Sequence, residues 1–168
     1  MERSRLSHLP PSAAGPRPRR SLTVEEAQRF LTAIQGTDDQ ALLLTPLMLG
    51  LRPGEVLGFP WSAVELDEAT MEIRQTLKRL PDGRHVIGPP KVNSYRKVRI
   101  PDQLVLALRA HRQTQRKLRL SAPVWENNDL VFPNSIGRRM DFLQLSTPCN
   151  ALCKGGGIGS RTDTKSDP

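Results

Sequence analysis

Cysteine, aromatic residues and long apolar runs are all scarce in this chain. It has two cysteines, one tyrosine and two tryptophans, and aromatic residues make up 4% of the sequence. No apolar run approaches the roughly 18 residues of a membrane-spanning helix, so we expect no membrane span. The basic first residues are followed by no apolar segment, so we expect no secretory signal. The 37% of hydrophobic residues still suffice for the core of one ordinary domain.

Residues that bind metals are few and scattered. Cys149 and Cys153 have no second cysteine pair, and the histidines lie apart at His8, His85 and His111. Structural zinc sites combine four such ligands at fixed spacing. We therefore interpret the cysteines as two free thiols, which suits a reducing compartment, and we expect neither a metal nor another cofactor.

Positive charge is concentrated in one part of the chain. The formal net charge is +8, but residues 71–120 have thirteen lysines and arginines against three acids, whereas residues 21–70 have two against eight. Such a block favours a polyanionic partner, most often nucleic acid. A solvated basic face is the alternative that charge alone leaves open.

Composition divides the chain into three parts. Residues 1–20 are rich in Pro, Ser and Arg and are expected to form a disordered basic linker. The polar residues 160–168 are expected to form a disordered tail. Residues 21–159 between them are expected to form one domain.

Helical patterns dominate this domain. Thr23 and Glu26 have the spacing of a capping box at the start of a helix. The predicted helices cover residues 24–34, 40–49, about 102–118 and 142–154, with a short one starting at Pro53. Pro46 is expected to kink the second helix or to mark a late start. His111, on the third long pattern, is interpreted as a packed or surface histidine rather than a ligand or base.

Alternating apolar and polar residues predict strands in the middle of the chain. They cover residues 63–66, 70–78 and 95–100, and Pro81-Asp82-Gly83 predicts a turn after the second one. The predicted fold class is therefore α+β, mainly helical with a small three-stranded antiparallel sheet.

A single arginine, Arg52, stands between an apolar helix that ends at Gly50 and the helix that starts at Pro53. Glu55 falls on the first turn of the second helix, so we expect its carboxylate close to Arg52. An arginine held in this way can form a preorganised anion clamp. The alternative is an ordinary capping ion pair worth under roughly 1 kcal/mol.

Two motifs in this part of the chain resemble a known family. Gly-Leu-Arg-Pro-Gly-Glu-Val-Leu at 50–57, followed by Trp-Ser-Ala-Val-Glu-Leu at 61–66, is similar to the first arginine box of the tyrosine recombinases, the phage-integrase family. Pro-Lys-Val-Asn-Ser-Tyr-Arg-Lys-Val-Arg-Ile-Pro at 90–101 resembles the second box. The order and spacing of both boxes make the resemblance more specific than either box alone. It extends over roughly residues 21–159.

The resemblance implies a site-specific DNA recombinase that cuts and rejoins DNA through a 3′-phosphotyrosine. It implies that Arg52 binds phosphate oxygens, that Lys91 protonates the leaving 5′-oxygen, and that Glu55 supports Arg52. Further DNA-binding residues are expected among the polar and basic residues of the middle block: Lys78, Arg79, Arg84, Asn93, Ser94 and Arg96.

The partner implied by the resemblance is double-stranded DNA, and other recombinase protomers are left open as partners. We expect no small-molecule substrate, no metal and no membrane contact. The expected location is the cytoplasm of a bacterial or phage-derived system, in association with the nucleoid.

The sequence departs from the family at its C-terminal end. The His-x-x-Arg box, a following His or Trp and the tyrosine nucleophile would come after Gly159, where this sequence has none of them. Tyr95 lies within the second box and does not match the nucleophile. We therefore expect a catalytic domain truncated or frameshifted near residues 155–160 and inactive alone. The alternatives are a non-catalytic DNA-binding or regulatory fragment and an inert remnant of a decayed mobile element.

Overall fold

The computed structural model describes residues 23–90 and 95–155. The predicted linker at 1–20 and the predicted tail at 160–168 lie outside the described residues, as do Lys91, Asn93 and Ser94. In chain order the elements are α1 (Val24–Ile34), α2 (Gln40–Leu49), α3 (Pro53–Leu57), β1 (Val64–Glu65), β2 (Thr70–Ile73), β3 (Thr76–Arg79), β4 (His85–Gly88), β5 (Arg96–Arg99), α4 (Asp102–Ser121) and α5 (Phe142–Gly155).

The first two helices confirm the capping and periodicity arguments. The Thr23 hydroxyl accepts the Glu26 N–H at 3.2 Å, and the Glu26 carboxylate accepts the Thr23 N–H at 2.9 Å, so the capping box is present. Helix α2 continues through Pro46. The predicted late start is therefore wrong, because the helix has already begun at Gln40. It ends at Gly50, whose φ of 61° lies in the left-handed region that favours glycine.

The predicted three-stranded antiparallel sheet is confirmed, with strand order β1-β2-β5. Thr70 pairs with Arg99 at one end of β2, and Ile73 pairs with Arg96 at the other. The prediction of one strand over 70–78 is wrong. The chain leaves the sheet after Ile73, and β3 pairs instead with β4 in a separate antiparallel hairpin. The fold class remains α+β and mainly helical, as predicted.

The core lies between the helices and one face of the three-stranded sheet. The inner side of α4 is apolar, with Leu104, Val105 and Leu108 buried as the periodicity predicts. Val131 and Phe132, from the segment after α4, are also buried. No helix among residues 23–90 and 95–155 is long and apolar enough to cross a membrane.

The segment after α4 returns to pair with the residues that follow α3. The Val131 N–H donates to the Phe59 carbonyl at 2.9 Å, and the Trp61 N–H donates to the Asp129 carbonyl at 2.8 Å. The Asp129 carboxylate also accepts the Ser62 N–H at 3.1 Å. This long-range pairing joins the two halves of the described chain.

Candidate nucleic-acid interface

Glu55 is the centre of a cluster that also contains Arg52 and Arg96, here called the Arg52 cluster. Its carboxylate accepts Arg52 Nη1 on Oε1 at 3.2 Å and the Arg52 backbone N–H on Oε2 at 3.0 Å. Arg96, on β5, donates Nη1 to Oε1 at 3.3 Å and Nη2 to Oε2 at 3.1 Å. The predicted proximity of Glu55 to Arg52 is confirmed. Glu55 therefore acts as a helix cap and as an acceptor for two guanidinium groups.

Burial differs sharply within the cluster. The Glu55 side chain is 2% exposed, whereas those of Arg96 and Arg52 are 33% and 61% exposed. The carboxylate is thus fixed inside the protein while the Arg52 guanidinium reaches the surface. One carboxylate against two guanidiniums leaves the cluster with a positive charge, and the guanidinium fork matches the oxygens of a phosphate.

The protonation state of Glu55 follows from these contacts. Burial raises the pKa of the carboxyl, but the Arg96 side chain and the Arg52 backbone N–H hydrogen-bond the charged form and outweigh burial. The pKa of Glu55 therefore lies below its ordinary value. The carboxylate is ionised at neutral pH and keeps both arginines oriented.

Two glycines, Gly54 in the first box and Gly58 just after α3, bring the hairpin of β3 and β4 against α3. A Cβ on Gly54 would lie 2.4 Å from the Leu77 carbonyl oxygen, and one on Gly58 would lie 2.9 Å from the Leu77 nitrogen. The Gln75 side-chain amide also donates to the Gly58 carbonyl at 2.6 Å. Backbone contacts backbone here, which requires residues without a side chain.

The hairpin presents three of the predicted DNA-binding residues to solvent. Lys78 and Arg79 lie at the end of β3, and Arg84 lies just before β4, all exposed. Arg84 also forms a surface ion pair with Asp82 at 2.7 Å. Because the base of the hairpin packs on α3, these residues lie on the element adjacent to the Arg52 cluster.

The structure places the predicted site residues in three groups. Arg52, Glu55 and Arg96 are brought together, and the hairpin residues lie on a neighbouring element. Lys91, Asn93 and Ser94 lie outside the described residues, so their predicted roles stay predictions. Sequence reasoning missed the ion pair between Glu55 and Arg96, which joins residues 41 positions apart.

Sequence comparisons find relatives among the recombinases. No protein-family model matches the chain. A tyrosine recombinase XerC-like protein of Caldanaerobacter subterraneus subsp. tengcongensis is 27% identical over 150 residues, which cover 82% of this chain and 38% of that protein. An integrase of Streptomyces ambofaciens is 28% identical over 156 residues, covering 83% and 37%. The chain thus spans less than two fifths of these relatives' length.

Solved structures show the same fold. The crystal structure of XerA recombinase superposes with a TM-score of 0.61 at 24% identity and covers 92% of this chain and 48% of that one. The Tn1549 transposon integrase, in complex with a circular intermediate DNA, superposes with a TM-score of 0.67 at 19% identity, covering 91% and 49%.

The helices around a small antiparallel sheet match the catalytic-domain fold of tyrosine recombinases. In sequence the chain is similar to tyrosine recombinases and integrases, and in fold to XerA recombinase and the Tn1549 integrase.

Proposed function

We propose that this chain supplies the phosphate-binding part of a site-specific DNA recombinase and binds double-stranded DNA through the Arg52 cluster. The observation that carries the proposal is the buried Glu55 carboxylate, which holds two guanidiniums while Arg52 remains 61% exposed. A guanidinium oriented before binding can stabilise charge on a phosphate without reorganisation. The Tn1549 integrase, which shares the fold, was solved with DNA bound.

The proposed roles follow from position and chemistry. Arg52 binds the non-bridging oxygens of a phosphate, and Glu55 orients it. Arg96 adds a second positive group at the same carboxylate. Lys91 is proposed as the proton donor to the leaving 5′-oxygen. Lys78, Arg79 and Arg84 on the hairpin, with Asn93 and Ser94, are proposed to contact the DNA backbone on either side.

Binding without cleavage is the behaviour proposed for this sequence. Its one tyrosine, Tyr95, is 62% exposed and directly precedes β5, next to Arg96 of the cluster. A covalent 3′-phosphotyrosine needs an in-line nucleophile, and the family's nucleophile position has no counterpart among residues 1–168. A non-catalytic DNA-binding or regulatory module is therefore proposed for this sequence by itself.

Arg52→Gln tests the phosphate contact. We expect the wild-type chain to bind a duplex oligonucleotide with an affinity that falls steeply with salt, because phosphate contacts release counterions. Losing one contact should reduce the slope of log affinity against log salt by about 0.9. The measurement is fluorescence anisotropy with labelled duplex across a salt series. Arg29→Gln, on the exposed side of α1, is the matched control and should leave the slope unchanged. Equal slopes for Arg52→Gln and the wild type would refute the assignment.

A suicide-substrate assay tests the absence of cleavage. We expect the purified chain to leave no covalent protein–DNA adduct and not to relax supercoiled plasmid. An adduct that Tyr95→Phe abolishes would make Tyr95 a nucleophile and contradict the proposal. An adduct that survives this change would mean that another side chain attacks, which would contradict the family mechanism for this chain.

A further inference from the structure

A cavity of about 230 Å³ lies between the C-terminal half of α4 and residues 125–137. Three arginines of α4 line one wall, Arg112, Arg116 and Arg119, while Trp61 and Trp125 contribute aromatic surface. These two residues are the only tryptophans in the sequence. We call this site the tryptophan cavity.

The tryptophan cavity has surplus positive charge. In the described part of the chain none of its three α4 arginines forms an ion pair. The acids of the wall are already engaged, since Glu126 pairs with Arg138 and the Asp129 carboxylate accepts the Ser62 N–H. Arg112, Arg116 and Arg119 follow one face of α4, because positions i, i+4 and i+7 share a face. The cavity therefore favours an anion.

The aromatic wall is rigid on one side and accessible on the other. The Trp61 Nε1–H donates to the Gln115 side chain at 2.6 Å. The His111 ring stacks on the Trp61 ring with 6.3 Å between their centres, and the Arg112 guanidinium lies 5.0 Å from the centre of the Trp61 ring. Trp125 is partly buried and, within residues 23–90 and 95–155, stacks on no other ring. Trp125 thus offers a flat apolar surface beside the arginines.

This site is separate from the Arg52 cluster. Arg109, three residues before Arg112 on α4, donates to Asp67 at the β1–β2 turn. Arg96 pairs with Ile73 at the opposite end of β2. The four residues of β2 separate these two ends by roughly 10 Å at about 3.3 Å per residue. The lining of the tryptophan cavity includes no residue of the Arg52 cluster, so a ligand group bound there does not require that cluster.

We propose that the tryptophan cavity binds a nucleotide unit, with the phosphate on Arg116 and Arg119 and the base against Trp125. Arginine forks match phosphate oxygens, and stacking on an aromatic side chain holds a base of any sequence. Asn127 contributes a side-chain amide to the same wall, suited to the donors and acceptors of a base edge. The volume lies below the roughly 300–1,000 Å³ of sites that enclose drug-sized ligands, so one nucleotide unit would be partly enclosed and a dinucleotide would extend well outside the cavity.

Because both tryptophans line the cavity, tryptophan fluorescence reports directly on ligand binding there. We expect AMP to change the intrinsic tryptophan fluorescence of the full chain saturably, with excitation at the red edge where adenine does not absorb. In NMR spectra, the indole N–H signal of Trp125 should shift on titration. This second readout needs no variant, so it tests the site even if a substitution disturbs the fold.

The double variant Arg116→Gln/Arg119→Gln should weaken AMP binding at least tenfold, since both proposed charged hydrogen bonds to the phosphate are lost. The matched control Arg29→Gln/Lys117→Gln removes two charges, one of them on α4, without altering residues that line the cavity. It should bind AMP as the wild type does. Arg52→Gln should also leave AMP binding unchanged, which separates this inference from the proposed DNA site.

A short single-stranded oligonucleotide and free AMP distinguish the two sources of the nucleotide unit. If the oligonucleotide binds more tightly than AMP, and Arg116→Gln/Arg119→Gln abolishes this binding, the ligand is an unpaired strand. If AMP binds as tightly as the oligonucleotide or more tightly, the ligand is a free nucleotide. The absence of any saturable signal with either probe would overturn the inference. So would a signal that persists in the double variant, or a cavity that takes an acidic peptide but not AMP.

Discussion

The two ends of the three-stranded sheet carry the same kind of ion pair in opposite surroundings. At one end, Glu55 is 2% exposed and accepts both Arg52 and Arg96. At the other, Asp67 is 94% exposed and accepts Arg109 at 2.7 Å. The exposed pair has the shorter contact, yet water and salt screen it, and such pairs contribute little. The buried carboxylate is held on several sides and fixes the orientation of its partners.

Distance alone therefore does not show which ion pair fixes the orientation of its partners. Burial of the acid, the number of donors it accepts and the exposure of the base matter more. At Glu55 these combine to project one guanidinium outward from a rigid base. At Asp67 the acid is almost fully exposed and Arg109 is half-exposed, so water competes with the contact between them.

Glu55→Gln should produce the largest difference between the two ends. The change removes the charge that Arg52 and Arg96 share, and we expect a loss of about 2–3 kcal/mol in the free energy of unfolding. This is below the roughly 3–5 kcal/mol of a fully buried pair, because both arginines can rehydrate. Urea unfolding monitored by circular dichroism measures it. Asp67→Asn is the matched change at the other end and should cost under about 0.5 kcal/mol. Equal losses would show that burial does not distinguish the pairs.

Gly54→Ala should have the next largest effect, since it disturbs the packing beside the Arg52 cluster. The new Cβ would lie 2.4 Å from the Leu77 carbonyl oxygen, so α3 and β3 must separate. Overpacking of this kind costs about 1–3 kcal/mol, more than the helix propensity that alanine adds. Gly88→Ala is the control, because its Cβ meets only the flexible Lys78 side chain at 3.6 Å. Thermal melts that show no difference between the two variants would contradict the close packing.

A smaller effect is expected from His111, which is half-buried beside Trp61 and whose Nε2 lies 2.7 Å from the Val131 carbonyl oxygen. Burial lowers the pKa of His111, and the Val131 carbonyl with the acids Asp38 and Asp39 only partly oppose this. The unfolded chain then binds a proton more readily, so stability falls as the pH drops below about 6.5 and levels off below the folded pKa. Urea unfolding over this range should show the fall, and His111→Gln should reduce it. A wild-type stability that rises on acidification would contradict the sign.

Local sequence signals predicted the helices well. The Thr23 and Glu26 capping box and the glycine at residue 50 set the ends of α1 and α2, because these contacts lie within a few residues. The break between β2 and β3 was missed, since Arg74 and Gln75 carry no glycine or proline signal. That break arises from tertiary contacts, in which Gln75 donates to the Gly58 carbonyl.

The candidate site also has a part that local sequence predicts and a part that depends on tertiary contacts. The proximity of Arg52 and Glu55 follows from their spacing on one helix turn. This spacing and the resemblance to the recombinases together single out Arg52 as a site residue. The bond from Arg96 to Glu55 depends on the sheet register. The tryptophan cavity depends on the return of residues 125–137 to α4, and composition alone does not indicate this.

The pairing of residues 59–62 with 129–131 also constrains when the domain can form. Ser62 and Asp129 are 67 positions apart, and closing a loop of that length costs roughly 4 kcal/mol of chain entropy. On a translating ribosome, α1, α2 and α3 can form early because their contacts are local. The Phe59–Val131 bond must wait until the chain beyond α4 has emerged. The Trp61 indole gains its α4 partner only when Gln115, 54 positions later, has been made, so this apolar surface stays exposed while that part of the chain is synthesised.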